Sequence, residues 1–327
     1  MRRRDFIRIV IASSAVAWPL AARPQQPAMP VVGFLNSASA DGYASMASSF
    51  KQGLKETGYI EGGNVGIEYR WADDQYERLP ALAADLVGKR VTAIFANGPS
   101  VAAAKTATTT IPIIFLTGDD PVRLGFVASF NRPGGNATGI AILSGELAAK
   151  RLELLRELVP HASTIAVLIN PDYRPVSQRF KADIEVAARA LGLMIQFLQA
   201  NNEREIIGAF NSFVQTRPGA LLVGPGPFLD SRRDLLVALA AQWAIPAAYE
   251  TRATAVAGGL VSYGADVGDA YRQAGIYTGR VLKGENPTNL PVFQATKFEL
   301  VINLKTANAL GLDVPLGLTA GADEVIQ

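Results

Sequence analysis

After residue 30 the chain alternates short, nearly continuous apolar runs with longer stretches whose apolar positions recur every three or four residues. The first kind has strand length and the second helical periodicity, so the pattern reads strand, loop, helix, repeated. Val31-Val32-Gly33-Phe34-Leu35 is the first run, and residues 65–71, 91–96 and 111–116 follow it. Between them fall a helix carried by Phe50 and Leu54 and closed at Gly58, a second over residues 79–87, and an alanine-rich third. A second series opens after an amphipathic helix at residues 147–158. Its strands are 164–169, 194–198, 220–223 and 247–249, with helices near 178–191, 203–214 and 231–243. Strands separated by helices imply right-handed crossovers and mostly parallel sheets. The fold class expected is α/β, with two doubly wound parallel-sheet lobes joined by a hinge. Residues 136–139 and 290–293 read as the crossovers, where a few torsions can absorb the rotation of one lobe against the other.

Length and composition agree with two packed lobes: 327 residues, 49% hydrophobic and 18% charged. The opening differs. Met1-Arg2-Arg3-Arg4-Asp5-Phe6-Ile7-Arg8 is a charged segment, residues 9–20 are apolar, and Ala21-Ala22 is a small-residue exit. These are the three parts of a secretory leader, and an apolar run this short does not comfortably span a ~30 Å hydrocarbon core. Arg3-Arg4-Asp5-Phe6-Ile7 resembles a twin-arginine export signal, with a Sec-type leader as the alternative. Residues 1–22 therefore read as a cleaved signal peptide and 23–30 as a linker, which places the mature protein in the periplasm.

Removing that leader takes away four arginines and one aspartate and leaves 27 basic against 28 acidic side chains. A surface so balanced lacks the field that gathers phosphate, so no nucleic-acid partner is expected. There is no cysteine, which excludes thiol catalysis, cysteine-ligated zinc and a lipoprotein anchor together. The single histidine, His161, follows Pro160 in a connector, and an H-E-x-x-H zinc site cannot be written. There is no G-x-S-x-G elbow and no G-x-x-x-x-G-K-[ST] phosphate loop, and Gly224-Pro225-Gly226 lacks the third glycine of a dinucleotide fingerprint. No cofactor, metal or catalytic residue is assigned. Carboxylate pairs acting as acid and base keep a hydrolase or isomerase open as an alternative.

In open parallel sheets ligands bind beyond the carboxyl ends of the strands. The loops there supply the candidate ligand contacts: Asn36 and Ser37, Gly98 and Ser100, Thr117 with Asp119 and Asp120, Asn170 and Tyr173, Gly224, Tyr249, and Tyr263 with Asp266. Small hydroxyls, amides and tyrosines orient a polar ligand, although the same residue types also populate ordinary turns. Asp119 and Asp120 can hold an ammonium group or brace a turn. Tyr263 can stack on a ligand or pack between lobes. Glu250 is expected to face solvent, as are Arg232 and Arg233 at the start of a helix.

Five stretches stand out together: Val32-Gly33-Phe34-Leu35-Asn36, Ile111-Pro112-Ile113-Ile114-Phe115, Gly118-Asp119-Asp120-Pro121-Val122, residues 131–139 (Asn-Arg-Pro-Gly-Gly-Asn-Ala-Thr-Gly) and residues 282–287 (Leu-Lys-Gly-Glu-Asn-Pro). They resemble the ABC-transporter substrate-binding family that includes tryptophan- and tyrosine-binding members. The likeness runs over essentially the whole mature chain. It implies a type I periplasmic-binding-protein-like fold with three hinge crossings: residues 31–140 plus about 266–291 in one lobe, and 141–265 plus about 292–327 in the other. It implies that Asn36, Ser100, Asp119 and Asn170 occupy ligand-contacting places, although Pro171 stands where those relatives often carry serine. It also implies a monomer that closes on a small-molecule ligand, an amino acid or aromatic carboxylate, and passes it to an ABC permease in the inner membrane. A periplasmic sensor serving a receptor is the other binding role compatible with the sequence.

Overall fold

The computed structural model describes residues 29–174 and 176–327; the leader and most of the linker read from the sequence lie outside these. Among the described residues thirteen strands form two sheets. The first contains β1 (Val31–Asn36), β2 (Gly66–Trp71), β3 (Ala93–Asn97), β4 (Ile113–Thr117), β5 (Ala137–Ala141) and β11 (Phe293–Gln294) in the order β11-β5-β4-β3-β1-β2. All of its pairings are parallel. The second contains β6 (Thr164–Ile169), β7 (Met194–Gln199), β8 (Ala220–Val223), β9 (Ala247–Tyr249), β10 (Val261–Ala265), β12 (Phe298–Asn303) and β13 (Glu324–Ile326) in the order β13-β12-β10-β9-β8-β6-β7. Here β12 runs antiparallel to β10, because it enters from the other lobe.

Helices cover both faces of each sheet, which is why the central strands are apolar throughout rather than alternating. Along β1, Val32 and Phe34 face one core with Phe50 and Phe95, whereas Leu35 faces another with Leu86 and Phe115. The second sheet divides in the same way, with Ile165 and Val167 on one side and Ala166 and Leu168 on the other. Phe34, Phe50 and Phe95 form a tight aromatic triangle with ring centroids 4.8–5.2 Å apart.

The chain crosses between sheets three times: at residues 142–147 after β5, at Asp266 after β10, and at 295–297 after β11. Two expected loops are strands instead. Residues 137–139 belong to β5, where the Thr138 hydroxyl donates to the Leu290 carbonyl at 2.6 Å, so the first crossing falls later than residues 136–139. Residues 262–265 belong to β10 rather than to a loop. Phe293 and Gln294 pair with β5, which moves the last crossing beyond residue 292.

Helix Val267–Leu282 returns to the first lobe and lies along helix Ala44–Glu56. The approach needs glycine. A Cβ on Gly275 would stand 2.1 Å from the Phe50 carbonyl oxygen, and one on Gly53 would stand 1.9 Å from the Arg272 carbonyl oxygen. Because a packed interface accommodates an extra methyl only by shifting backbone, Gly275→Ala is expected to destabilise the protein by about 1–3 kcal/mol in chemical denaturation. An unchanged midpoint would mean that the two helices can part without cost.

Candidate functional site

In each sheet the strand order reverses once, between β1 and β3 in the first and between β6 and β8 in the second, and the two reversal points face each other across the crossings. At the first, Asn36 and Asn97 end their strands side by side and both donate to the Tyr271 hydroxyl, at 3.2 and 2.9 Å. The Asn97 side chain also accepts from the Ser37 backbone at 3.0 Å. Helix Val267–Leu282, which follows the second sheet's last parallel strand, thus braces the ligand-facing end of the first sheet.

Between the lobes lies a small, partly open chamber of about 40 Å³. Asn97, Gly98 and Tyr271 contribute from the first lobe, and Tyr173, Asp230 and Glu250 from the second. Burial pushes the Tyr43, Tyr173 and Tyr271 phenols up, so they remain protonated and able to donate. Glu250 is 5% exposed and its Oε2 has no partner among the described residues. Gly264 positions it: a Cβ there would fall 2.1 Å from the Glu250 carbonyl oxygen, so only glycine lets β10 come this close. Asp230 sits in the short helix Pro227–Ser231; burial first, then the Glu250 charge, push its carboxyl well up, against the pull of Arg151 and Arg233.

Arg151 lies beside the chamber, fully buried, with Nη2 donating to the Ser144 carbonyl at 2.7 Å. Burial lowers its pKa while Glu250 and Asp230 raise it. Its Nε and Nη1 and the Ser37 hydroxyl lack partners among the described residues. Among those residues no ion pair within 4.0 Å joins Arg151 to either carboxylate. Buried polar and charged groups with open hydrogen-bonding capacity are costly, which marks this seam as a place where a partner is missing from the protein itself. Outside the chamber, and sharing Gly98 and Tyr173 with it, is a larger cavity of about 610 Å³.

The lobes meet in a closed arrangement. Asp74 of the first lobe lies 3.1 Å from the Arg232 guanidinium and accepts from the Ser231 hydroxyl at 3.3 Å. Arg232 also holds Glu203 at 2.8 Å, so it is tied into a latch rather than solvated. The Asn170 amide donates to the Tyr76 hydroxyl at 3.3 Å, and Arg179 stands 4.0 Å from Asp119.

The residues read from the sequence divide accordingly. Gly98 and Tyr173 line both cavities, and Thr117 lines the outer one. Asn36, Ser37 and Ser100 are buried at the first reversal point, where Asn36 Oδ1 accepts from the Ala38 backbone and the Ser100 hydroxyl donates to Asn97 at 3.4 Å. Asp119 is buried and accepts from the Asp120 backbone, and Asp120 accepts from the backbones of Val122 and Arg123 as a turn brace. Asn170 braces its own loop at Asp172 besides bridging the lobes. The remainder stand away from the chamber: Gly224 packs on the Leu168 backbone, Tyr249 lies in the second lobe's core, Tyr263 packs against Phe298, and Asp266 caps helix Val267–Leu282. Glu250, expected in solvent, is inside. Asp230, Asn97 and Tyr271 were not singled out from the sequence. Arg151 had a legible signal: it stands on the same helical stripe as Leu155 and Leu158, where a charge is out of place.

Comparison with known proteins adds a lineage to this geometry. The family model described as "ABC transporter substrate binding protein" matches residues 31–326. The "Tyrosine-binding protein" of Clostridioides difficile (strain R20291) is 28% identical over 266 residues, covering 80% of this chain and 75% of that protein. A conserved domain protein from Vibrio cholerae superposes with a TM-score of 0.82 at 25% identity, over 91% of this chain and 99% of that one. An ABC domain in complex with L-Trp from Streptococcus pneumonia superposes with a TM-score of 0.79 at 24% identity over the same shares.

The latch makes closure sensitive to pH. Burial raises the Asp74 carboxyl from 3.8 to about 6 despite Arg232, so the closed form binds more protons than one in which Asp74 meets water. The closed form is therefore favoured below about pH 4 and loses that advantage as pH rises through about 6. Small-angle scattering between pH 4 and 7 is expected to show compaction toward the acid end. In Asp74→Asn, which keeps the left-handed backbone at this residue (φ 63°), that trend should weaken, with Asp230, whose carboxyl burial also pushes up, carrying the remainder.

Proposed function

The chain belongs to the ABC transporter substrate binding protein family, and from that premise we propose that it captures an amino acid between its lobes and delivers it to an ABC importer. The observation that carries the ligand class is the pair of carboxyl groups, Asp230 and Glu250, in a small chamber to which both lobes contribute. A cationic partner, which an α-ammonium group supplies and a neutral sugar or simple aromatic acid does not, would meet the open Glu250 oxygen and favour ionisation of Asp230, whose proton burial and Glu250 otherwise help to retain. The tyrosine-binding relative and the L-Trp complex support an aromatic member of that class.

Closure gives the transport logic. Contacts made by both lobes favour the closed form by their differential binding energy, and closure turns a ligand signal into a surface that a membrane permease can read. Export to the periplasm, action as a monomer, and return of the ligand chemically unchanged belong to the same reading. Uptake of labelled ligand into vesicles containing the cognate permease, dependent on this protein, tests delivery.

Calorimetry and thermal shift test the ligand class. L-Tyrosine or L-tryptophan is expected to bind and raise the melting temperature, while the matching deaminated acids and sugars do not. Glu250→Gln should weaken binding about 10- to 100-fold, the scale of a charge-assisted hydrogen bond worth about 1.5–3 kcal/mol. Tight binding of a deaminated acid, with indifference to Glu250→Gln, would overturn the assignment.

A further inference from the structure

The small inner chamber and the outer cavity share one dividing side chain, Tyr173. At about 40 Å³ the chamber offers room for a few water molecules, each needing about 10–15 Å³, and so for an ammonium head but not for an aromatic ring as well. The ring of any bound aromatic amino acid must pass Tyr173. Beyond it the outer cavity measures about 610 Å³, inside the range that holds drug-sized ligands rather than a lone phenol. Its wall is mostly apolar, with Leu79, Pro99, Ala102, Ala103, Leu124 and Phe126 among its residues.

Tyr173 is suited to divide such a site. It belongs to the loop after β6, and its ring lies against Gly226, where a Cβ would come within 2.8 Å of Cδ1. Gly226 has φ +129°, a conformation reserved for glycine, so the bed beneath the ring is fixed by that residue. The phenol reaches across the cleft to the Gly118 backbone and to within 3.5 Å of the place a Cβ on Gly98 would occupy. A side chain from one lobe thus ends on the backbone of the other, between a charged compartment and an apolar one.

We propose that the two cavities are a single binding site partitioned by Tyr173, built for a ligand with an ammonium head and an apolar body larger than one aromatic ring. The head meets Asp230 and Glu250, and the body extends past Tyr173 along helix Ser100–Ala107. This rests on the ammonium-binding reading above and adds the size and shape of the ligand.

The test compares L-tyrosine with O-benzyl-L-tyrosine by calorimetry on the full mature chain. The extended probe is expected to bind at least tenfold more tightly, as burial of a further ring requires. Ala103→Phe, which fills the outer cavity, should bring the ratio of the two affinities close to one. Tyr173→Ala should speed association of the extended probe at least tenfold, while Tyr173→Phe, which keeps the ring, should not. Equal or weaker binding of the extended probe, or an advantage that survives Ala103→Phe, would overturn the single-site proposal while leaving the amino-acid reading intact. Failure of both probes to bind would sink the two together.

Discussion

Charge withdrawn from water at the seam between two lobes is the constraint from which the rest of this molecule follows. Asp230, Glu250 and Arg151 stand in or beside a small interlobe chamber, with Glu250 and Arg151 retaining unused hydrogen-bonding atoms. A fold selected for stability alone would place apolar groups here, since a buried ionic cluster is rarely a net gain. Retaining the charges makes sense where an incoming ligand completes them.

Holding those charges to within fractions of an ångström falls to the surrounding architecture. The first lobe's strand ends are pinned by Tyr271, which accepts from Asn36 and Asn97 and itself rides on a helix packed through glycine against its neighbour. Glu250 is set by the close approach of Gly264. Each lobe has its own doubly covered core, and three short crossings join the two. The latch at Asp74 and Arg232 belongs to neither core; it forms only because the lobes meet.

The legibility of the sequence follows the same physics. Strands such as Val31–Asn36 and Thr164–Ile169 are buried on both faces, so they appear as unbroken apolar runs that a reader can find. Strands β5 and β10 escaped detection because Thr138, Ser262 and Gly264 sit in them for reasons outside the strand: a hydroxyl that ties down the Leu290 carbonyl, and a glycine that admits the Glu250 backbone. Candidate residues in the loops were chosen by type and position. Tyr173 and Gly98 do line the cavities, whereas Tyr249 turned inward to its own lobe's core, a choice decided by which way the end of a three-residue strand faces.

The α/β class, the two series of parallel strands, the exclusion of thiol catalysis and cysteine-ligated zinc, and the family likeness are legible in the residue order alone, because periodicity, composition and local motifs are properties of neighbouring residues. Tertiary structure alone settles which loops share a chamber, that Glu250 lies inside it rather than in solvent, and that Asp74 meets Ser231, 157 residues away along the chain, and its neighbour Arg232. Those facts depend on two sheets facing each other, and the energy of a carboxylate is set by what surrounds it in space, which the order of residues does not state.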